Sequence, residues 1–215
     1  NEDLNKVIKF ITKLENLSKE KNTIKAKLAS DACLSGKELI NQIENRIKRL
    51  NRVKKTNPEL NSFFLKTFLP LWKRIKKRYY KLWPITSKKN SLENDKLTLS
   101  PSDFGFHNSL KKNNKIFFLD FEYFGWDDPV KLTADFIWHP SNIKNKDILK
   151  KWKENMIKLF SNDKEFEIRL NASLPLYGIR WIVIILNEFL PEYSTRRKLA
   201  RNSNLYEQKK EKSLQ

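Results

Sequence analysis

Glycine, cysteine and histidine are scarce in this sequence, and each scarcity removes a class of chemistry. The four glycines, Gly36, Gly105, Gly125 and Gly178, are widely scattered. A phosphate loop needs several clustered backbone N–H groups free of Cβ atoms, so none can be built here. Cys33 is the only cysteine, which excludes a disulfide framework and leads us to expect a reducing compartment, the cytoplasm. His107 and His139 are the only histidines, too few with one cysteine for a Cys/His zinc site. The longest apolar run, near Trp181 to Leu186, falls far short of the roughly 20 residues of a membrane span. No charged-then-apolar signal segment opens the chain. It begins at Asn1 rather than Met, so a piece of a longer protein is expected.

Acidic residues are also in deficit. Lys and Arg total 44 against 25 Asp and Glu, a net charge of +19 carried mostly by Lys. Such an excess favours polyanions, nucleotides, phosphorylated substrates or anionic membrane surfaces. A Lys-rich solvated surface with no specific ligand is an equally weighted reading. What is present in quantity is apolar: 39% hydrophobic and 12% aromatic residues argue for a folded chain. The length, 215 residues, allows one good core or two small ones.

Periodicity predicts helices over the first part of the chain. Leu4, Val7, Ile8, Ile11, Leu14 and Leu17 share one helical face. Ser35 and Glu38 form a capping-box pattern ahead of Leu39, Ile40, Ile43, Ile47 and Leu50. Asn57-Pro58 opens a third helix through Phe64, Phe68 and Trp72, with Pro70 expected to kink or divide it. A basic run from Lys73 to Lys81 is interleaved with Ile75, Tyr79, Tyr80 and Trp83, and Pro84 to Asp95 reads as a loop. The pattern then changes. Leu97 to Leu99, Phe106 to Leu110 and Ile116 to Phe121 read as short strands, the last two joined by a turn over Lys111 to Lys115. Asp128-Pro129 signals a helix start and Trp138-His139-Pro140 a stop. Helical periodicity returns from Lys144 through Leu149, Trp152, Met156, Leu159 and Phe160. The apolar segment Leu174 to Leu190 follows, interrupted by Pro175, Gly178 and Arg180. After Tyr193 a basic, polar tail reads as a surface helix that frays. The fold class expected is mainly α with a small β-hairpin island.

That island holds Asp103, Asn108 and Asp120, a set suited to phosphoryl transfer. One carboxylate takes or orients the proton of an attacking hydroxyl. An amide carbonyl and a second carboxylate, both hard oxygen donors, hold magnesium against phosphates. Asp and Asn five apart can flank a single loop, and a hairpin then brings the second Asp alongside. Little else is needed, because positioning and charge neutralisation supply most of the rate in this reaction class.

The strings Leu99-Ser-Pro-Ser-Asp103-Phe-Gly-Phe-His-Asn108 and Phe118-Leu-Asp120-Phe-Glu122, followed by Asp128-Pro129 and Asp135-Phe136, resemble the aminoglycoside phosphotransferase and choline kinase group, relatives of the protein kinases. The resemblance implies the C-terminal lobe of a protein kinase-like fold over residues 1–215. Within it, 1–95 and 140–215 are helical, and 96–139 carry the catalytic loop, hairpin and metal segment. It implies Asp103 as catalytic base, Asn108 and Asp120 as ligands of Mg2+, and ATP or GTP as phosphoryl donor. The acceptor is a hydroxyl of a small molecule, such as a sugar or an amino alcohol. It also implies an N-terminal nucleotide-binding lobe, absent from this sequence and supplied in cis or in trans. Two departures stand out: Pro101 occupies the place where the family commonly has His, and the Asp128 to Asp135 spacing is longer than its common form.

Individual residues carry plainer readings as well. Asp128 before Pro129 fits a helix cap better than a ligand. Asp135 either braces the catalytic loop or sits on a helix surface. Glu122 is expected on the same strand face as Asp120, in a supporting role or as a solvated edge residue. His107 is expected to pack or hydrogen-bond the loop. The run Lys73 to Trp83 is preferred as one helix with Ile75, Tyr79 and Trp83 inward and Lys stems along its rim. A different class of function competes: a non-catalytic basic helical module that binds a polyanion or a partner protein, with nucleic acid the less favoured ligand.

Overall fold

Amphipathic periodicity builds most of the fold. The computed structural model describes residues 2–20, 25–84, 91–142, 145–193 and 212–213. The helices are α1 (Glu2–Ser18), α2 (Gly36–Val53), α3 (Pro58–Phe63), α4 (Leu69–Leu82), α5 (Pro129–Trp138), α6 (Lys146–Leu159) and α7 (Phe166–Ile185). The strands are β1 (Thr98–Ser100), β2 (Ser109–Lys112), β3 (Lys115–Phe118) and β4 (Gly125–Asp127). The chain is therefore mainly helical with a small antiparallel island, as its pattern predicts. The basic tail expected after Tyr193 lies outside the described residues except at 212–213, as do 85–90 of the loop after Pro84.

Local chemistry sets several boundaries. Ser35 accepts a hydrogen bond from the Glu38 N–H, and Glu38 reaches back to the Leu34 N–H at 2.6 Å, a capping box displaced by one residue. Pro58 occupies the first turn of α3, but Asn57 turns its amide backward to the Val53 carbonyl instead of capping forward. Pro70 does not interrupt the third helical stretch, whose backbone stays helical through Phe68 and Leu69. Residues Phe64–Phe68 form a π-helical turn, and Pro70 falls in the first turn of α4. Asn113 and Asn114 both take positive φ, 47° and 58°, which matches the right-handed twist of the β2–β3 hairpin.

Helix α7 runs through the core, packed on α2, α4 and α5, with Leu170, Leu176, Ile179 and Val183 buried. With its 3-10 extension it is long and apolar enough, by length and composition, to cross a membrane. Most of its apolar window is covered by the other helices, the pattern of a core helix. Helix α4 places Tyr79 and Trp83 inward and half-buries Ile75, as expected for the basic run, while Lys76 pairs with Glu44 and lies over the Trp72 ring.

The island departs from expectation in three places. Residues Phe106–Asn108 form a 3-10 turn rather than the start of a strand, so β2 begins only at Ser109. β3 ends at Phe118, where Asp120 turns to φ 60°. β4 carries no periodic signal, yet it pairs antiparallel with β1, Thr98 opposite Asp127 and Ser100 opposite Gly125. On its other side β4 bonds the segment around Leu28: Trp126 N–H to the Lys27 carbonyl and Ala29 N–H to the Trp126 carbonyl.

Candidate active site

The loop from β1 to β2 is pinned by an aromatic wedge. Phe104 is buried, with its ring 5.7 Å from Phe10, 5.0 Å from Phe118, 6.2 Å from Phe136 and 6.4 Å from Trp152. Burying a phenyl ring contributes about 1.5–3 kcal/mol, and here it fastens the residue next to Asp103 to α1, β3, α5 and α6. On the other side Ser102 takes φ 67°, a left-handed conformation that costs a non-glycine residue free energy. Its N–H bonds the Ser100 hydroxyl at 3.1 Å and its own hydroxyl bonds the Ser30 carbonyl at 3.2 Å. Asp103 is therefore held between a buried ring and an anchored turn, with its carboxylate half-exposed.

Asn108 is turned toward Asp103. Its side-chain amide donates to the Asp103 carbonyl at 2.9 Å and to Asp103 Oδ2 at 3.3 Å. The NH2 end is thereby spent within the loop, and the Oδ1 carbonyl is left as the acceptor a hard cation could use. The Asn108 backbone carbonyl accepts the Leu119 N–H at 2.9 Å, so the hairpin returns Asp120 to within one residue of Asn108. Asp120 is exposed. A hydrogen bond to Glu122 raises the Tyr123 phenol, and the charges of Asp120 and Asp103 lie near enough to raise it further. Asn108 thus bonds Asp103 directly, and the hairpin backbone brings the segment that carries Asp120 beside Asn108. Glu122 lies in a turn beyond β3, so the expected strand face shared with Asp120 does not exist.

His107 faces Asp103, its Nε2 3.0 Å from Oδ1. That contact is the chief cause holding the Asp103 carboxyl below the usual range; burial opposes it, and the His139 and Asn108 contacts assist. His107 also stacks on His139, ring centroids 3.6 Å apart and 6° from parallel. Burial, with His107 adjacent, depresses His139 to about 4, so this imidazole is neutral near pH 7. Gly105 makes room for the stack, because a Cβ there would meet His107 Nδ1 at 2.8 Å. The expected hydrogen-bonding role of His107 holds. The partnership with His139 has no signal in the sequence, since the two lie on different elements.

Behind the loop lies a buried charge network. Lys131 is 1% exposed, with its Nζ 3.2 Å from Asp127 Oδ2, Asp135 Oδ2 and Ser102 Oγ alike. Burial favours the neutral amine, but the two carboxylates outweigh it and raise the Lys131 pKa. Burial also pushes up the Asp127 carboxyl, opposed by Lys131 and by N–H bonds from Cys33 and Asp128. Asp135 is further paired with Arg180 and accepts from Trp181 Nε1. It is a buried member of this network and not a helix-surface residue, because α5 is covered almost all round. Asp128 caps α5 by accepting from the Val130 N–H at 2.9 Å, and Arg169, fully buried, bonds it and Asp163. Asp127 and Asp128 thus answer internal cations and are not part of the exposed carboxylate group. Sequence reasoning missed Lys131 and Arg169 as structural residues. The available signal was the i, i+4 spacing of Asp127, Lys131 and Asp135 in an otherwise apolar stretch.

No protein-family model matches this chain, and no curated protein matches it.

Proposed function

We propose that this chain is the C-terminal lobe of a phosphotransferase that moves the γ-phosphoryl group of ATP or GTP to a hydroxyl of a small molecule, such as a sugar or an amino alcohol. The observation that carries the reading is the Asn108 amide bonded to Asp103, with the Leu119–Asn108 backbone bond bringing the segment of Asp120 alongside. Asp103, kept ionised by its hydrogen-bond partners, accepts the acceptor's hydroxyl proton as that oxygen attacks the γ-phosphorus. The bond from the γ-phosphorus to the bridging oxygen breaks and the nucleoside diphosphate leaves. Asn108 Oδ1 and the Asp120 carboxylate would hold Mg2+, which neutralises phosphate charge when bound.

Beside these groups Leu110, Phe117, Leu119, Phe121 and Tyr123 are exposed. Single exposed apolar residues are ordinary, but five on one hairpin and its following turn form a patch that favours a covering partner. It supplies an apolar surface for a nucleotide base and for an N-terminal lobe provided in cis or in trans. The setting we propose is cytoplasmic. Binding of a fluorescent ATP analogue to the full-length gene product tests the metal assignment. It should require Mg2+ and weaken at least about tenfold in Asp120→Ala and Asn108→Ala, in line with the loss of a metal-site group. Equal binding with and without Mg2+ in all three proteins would remove the assignment.

A second reading, a basic module for polyanions, has one observation in its favour. Lys73, Arg74, Lys77 and Lys81 line the exposed face of α4, and none forms an ion pair among the described residues.

A further inference from the structure

Beside the oxygen ligands of the proposed magnesium site stands a donor set of a different kind. Asp103, His107 and His139 each present one ligand atom, and these atoms all lie within 4.8 Å of one another. They come from two separate elements, the β1–β2 loop and the C-terminal cap of α5, and nothing in the proposed phosphoryl transfer requires the second imidazole.

The surroundings fix all three. Gly105 leaves room for the His107 ring, which is held between that backbone and the face of His139. His139 Nδ1 accepts the Ser141 N–H at 3.2 Å and lies 2.7 Å from the Ser141 hydroxyl, which orients the ring; the neutral ring then carries its proton on Nε2, and ligation through Nε2 releases that proton. Trp181 closes the outer edge of His139 at 4.9 Å and is itself held by Asp135. Orientation of a ligating imidazole through its other nitrogen is how protein metal sites set ligand direction.

We infer that Asp103, His107 and His139 form a binding site for a borderline-soft divalent cation of the zinc class, separate from the oxygen site for Mg2+. Imidazole nitrogen suits Zn2+, Co2+, Ni2+ and Cu2+, whereas Mg2+ takes oxygen donors in near-octahedral geometry. Ligand bonds of about 2.0–2.1 Å place donors on one tetrahedral ion about 3.4 Å apart. His107 Nε2 and Asp103 Oδ1 are already 3.0 Å apart; the two imidazoles, now parallel and 3.6 Å apart, leave their stack and turn their nitrogen edges toward the carboxylate to complete the site. Three protein ligands leave a fourth position open to water or to an anionic ligand. An ion held there occupies the Asp103 oxygen that accepts the proton in the proposed reaction. The binding itself does not depend on that reaction.

The test uses the full-length gene product, with Zn2+ and Co2+ as probes in excess Mg2+. Zn2+ should raise the unfolding temperature by mass action, and Co2+ should give the visible absorption of a low-coordinate nitrogen-oxygen site. His139→Gln and His107→Gln should each weaken both responses by more than about tenfold, while Asp120→Asn keeps them. X-ray absorption of the Zn2+-loaded wild type tests the inference even where a variant fails to fold. A shell with two imidazoles in the wild type that loses one in each histidine variant assigns them to His107 and His139. The inference is overturned by the absence of both responses, by responses unchanged in both histidine variants, or by a shell without imidazole. Failure of the phosphotransferase reading is a separate result, seen as absent nucleotide turnover with Zn2+ binding intact.

Discussion

The ammonium nitrogen of Lys131 lies 3.2 Å from the hydroxyl oxygen of Ser102, the residue immediately before Asp103. Ser102 holds a left-handed backbone conformation, and this contact ties it to a buried helix through a side chain that is 1% exposed. The charge placed there is balanced on the spot by Asp127 and Asp135. The orientation of the half-exposed Asp103 carboxylate is thereby coupled to the core of the protein.

Replacing Lys131 with Met keeps the length of the side chain and removes the charge. Among the described residues Lys131 is the only cation paired with Asp127, whereas Asp135 retains Arg180. Breaking a buried pair this way costs about 3–5 kcal/mol. Urea unfolding of Lys131→Met should show a lower midpoint, and adding Asp127→Asn should recover part of the loss. A variant as stable as the wild type would mean the network carries no net cost when opened.

The His107–His139 stack makes stability depend on pH. His139 has a folded pKa of about 4 against 6.5 for the free side chain, so the unfolded chain binds the extra proton more readily. Its contribution is complete above pH 6.5 and is lost as the pH falls toward 4. Allowing for its partial exposure, the loss is of the order of 1–2 kcal/mol. His139→Phe keeps an aromatic ring against His107 and removes the titration. Its stability should fall less steeply than that of the wild type across this window in urea midpoints measured at successive pH values.

Gly125 supports the island from behind. A Cβ at this position would stand 2.4 Å from the Lys27 carbonyl and 2.6 Å from the Ala29 nitrogen, both backbone atoms that cannot rotate aside. Gly125→Ala should cost about 1–3 kcal/mol through overpacking. It should also speed amide exchange at Ala29 and Trp126, whose bonds join the two segments.

These contacts mark where sequence reasoning stops. Ser35 with Glu38, Asn113 with Asn114, and Asp128 before Pro129 are local signals, and each produced the turn or cap that its chemistry predicts. The loop and the hairpin that carry Asp103, Asn108 and Asp120 were legible because their turn signals are local. β4 was not, since its three residues gain order only from β1 and the Leu28 segment. Lys131 and Arg169 were not singled out, because Arg169 meets Asp128 only after α7 packs against α5. Phe106 and its aromatic neighbours suggested a strand, yet the 3-10 turn there is what carries His107 back to Asp103.

The basic face of α4 yields a measurement of its own. Lys73, Lys77 and Lys81 are exposed on a helix whose apolar side is already committed to the core. A flexible polyanion such as single-stranded RNA should bind weakly and lose affinity steeply with salt. Changing these three lysines to Gln should reduce the logarithmic salt slope by about 0.7 per contact removed. An unchanged slope would place the binding elsewhere, and salt-independent binding would exclude an electrostatic site.

Phosphoryl transfer rests most directly on Asp103. The measurement is nucleoside diphosphate release by the full-length gene product, with Mg2+, ATP or GTP, and a panel of sugars and amino alcohols. Wild type, Asp103→Asn and Asp120→Ala are compared under the same conditions. The account predicts acceptor-dependent turnover in the wild type, reduced by about 10²–10⁴-fold in Asp103→Asn, the range expected for loss of a general base. Asp120→Ala should be similarly impaired through loss of its metal ligand. Equal turnover in the three proteins, or no turnover with any acceptor from a folded, nucleotide-binding wild type, would contradict it.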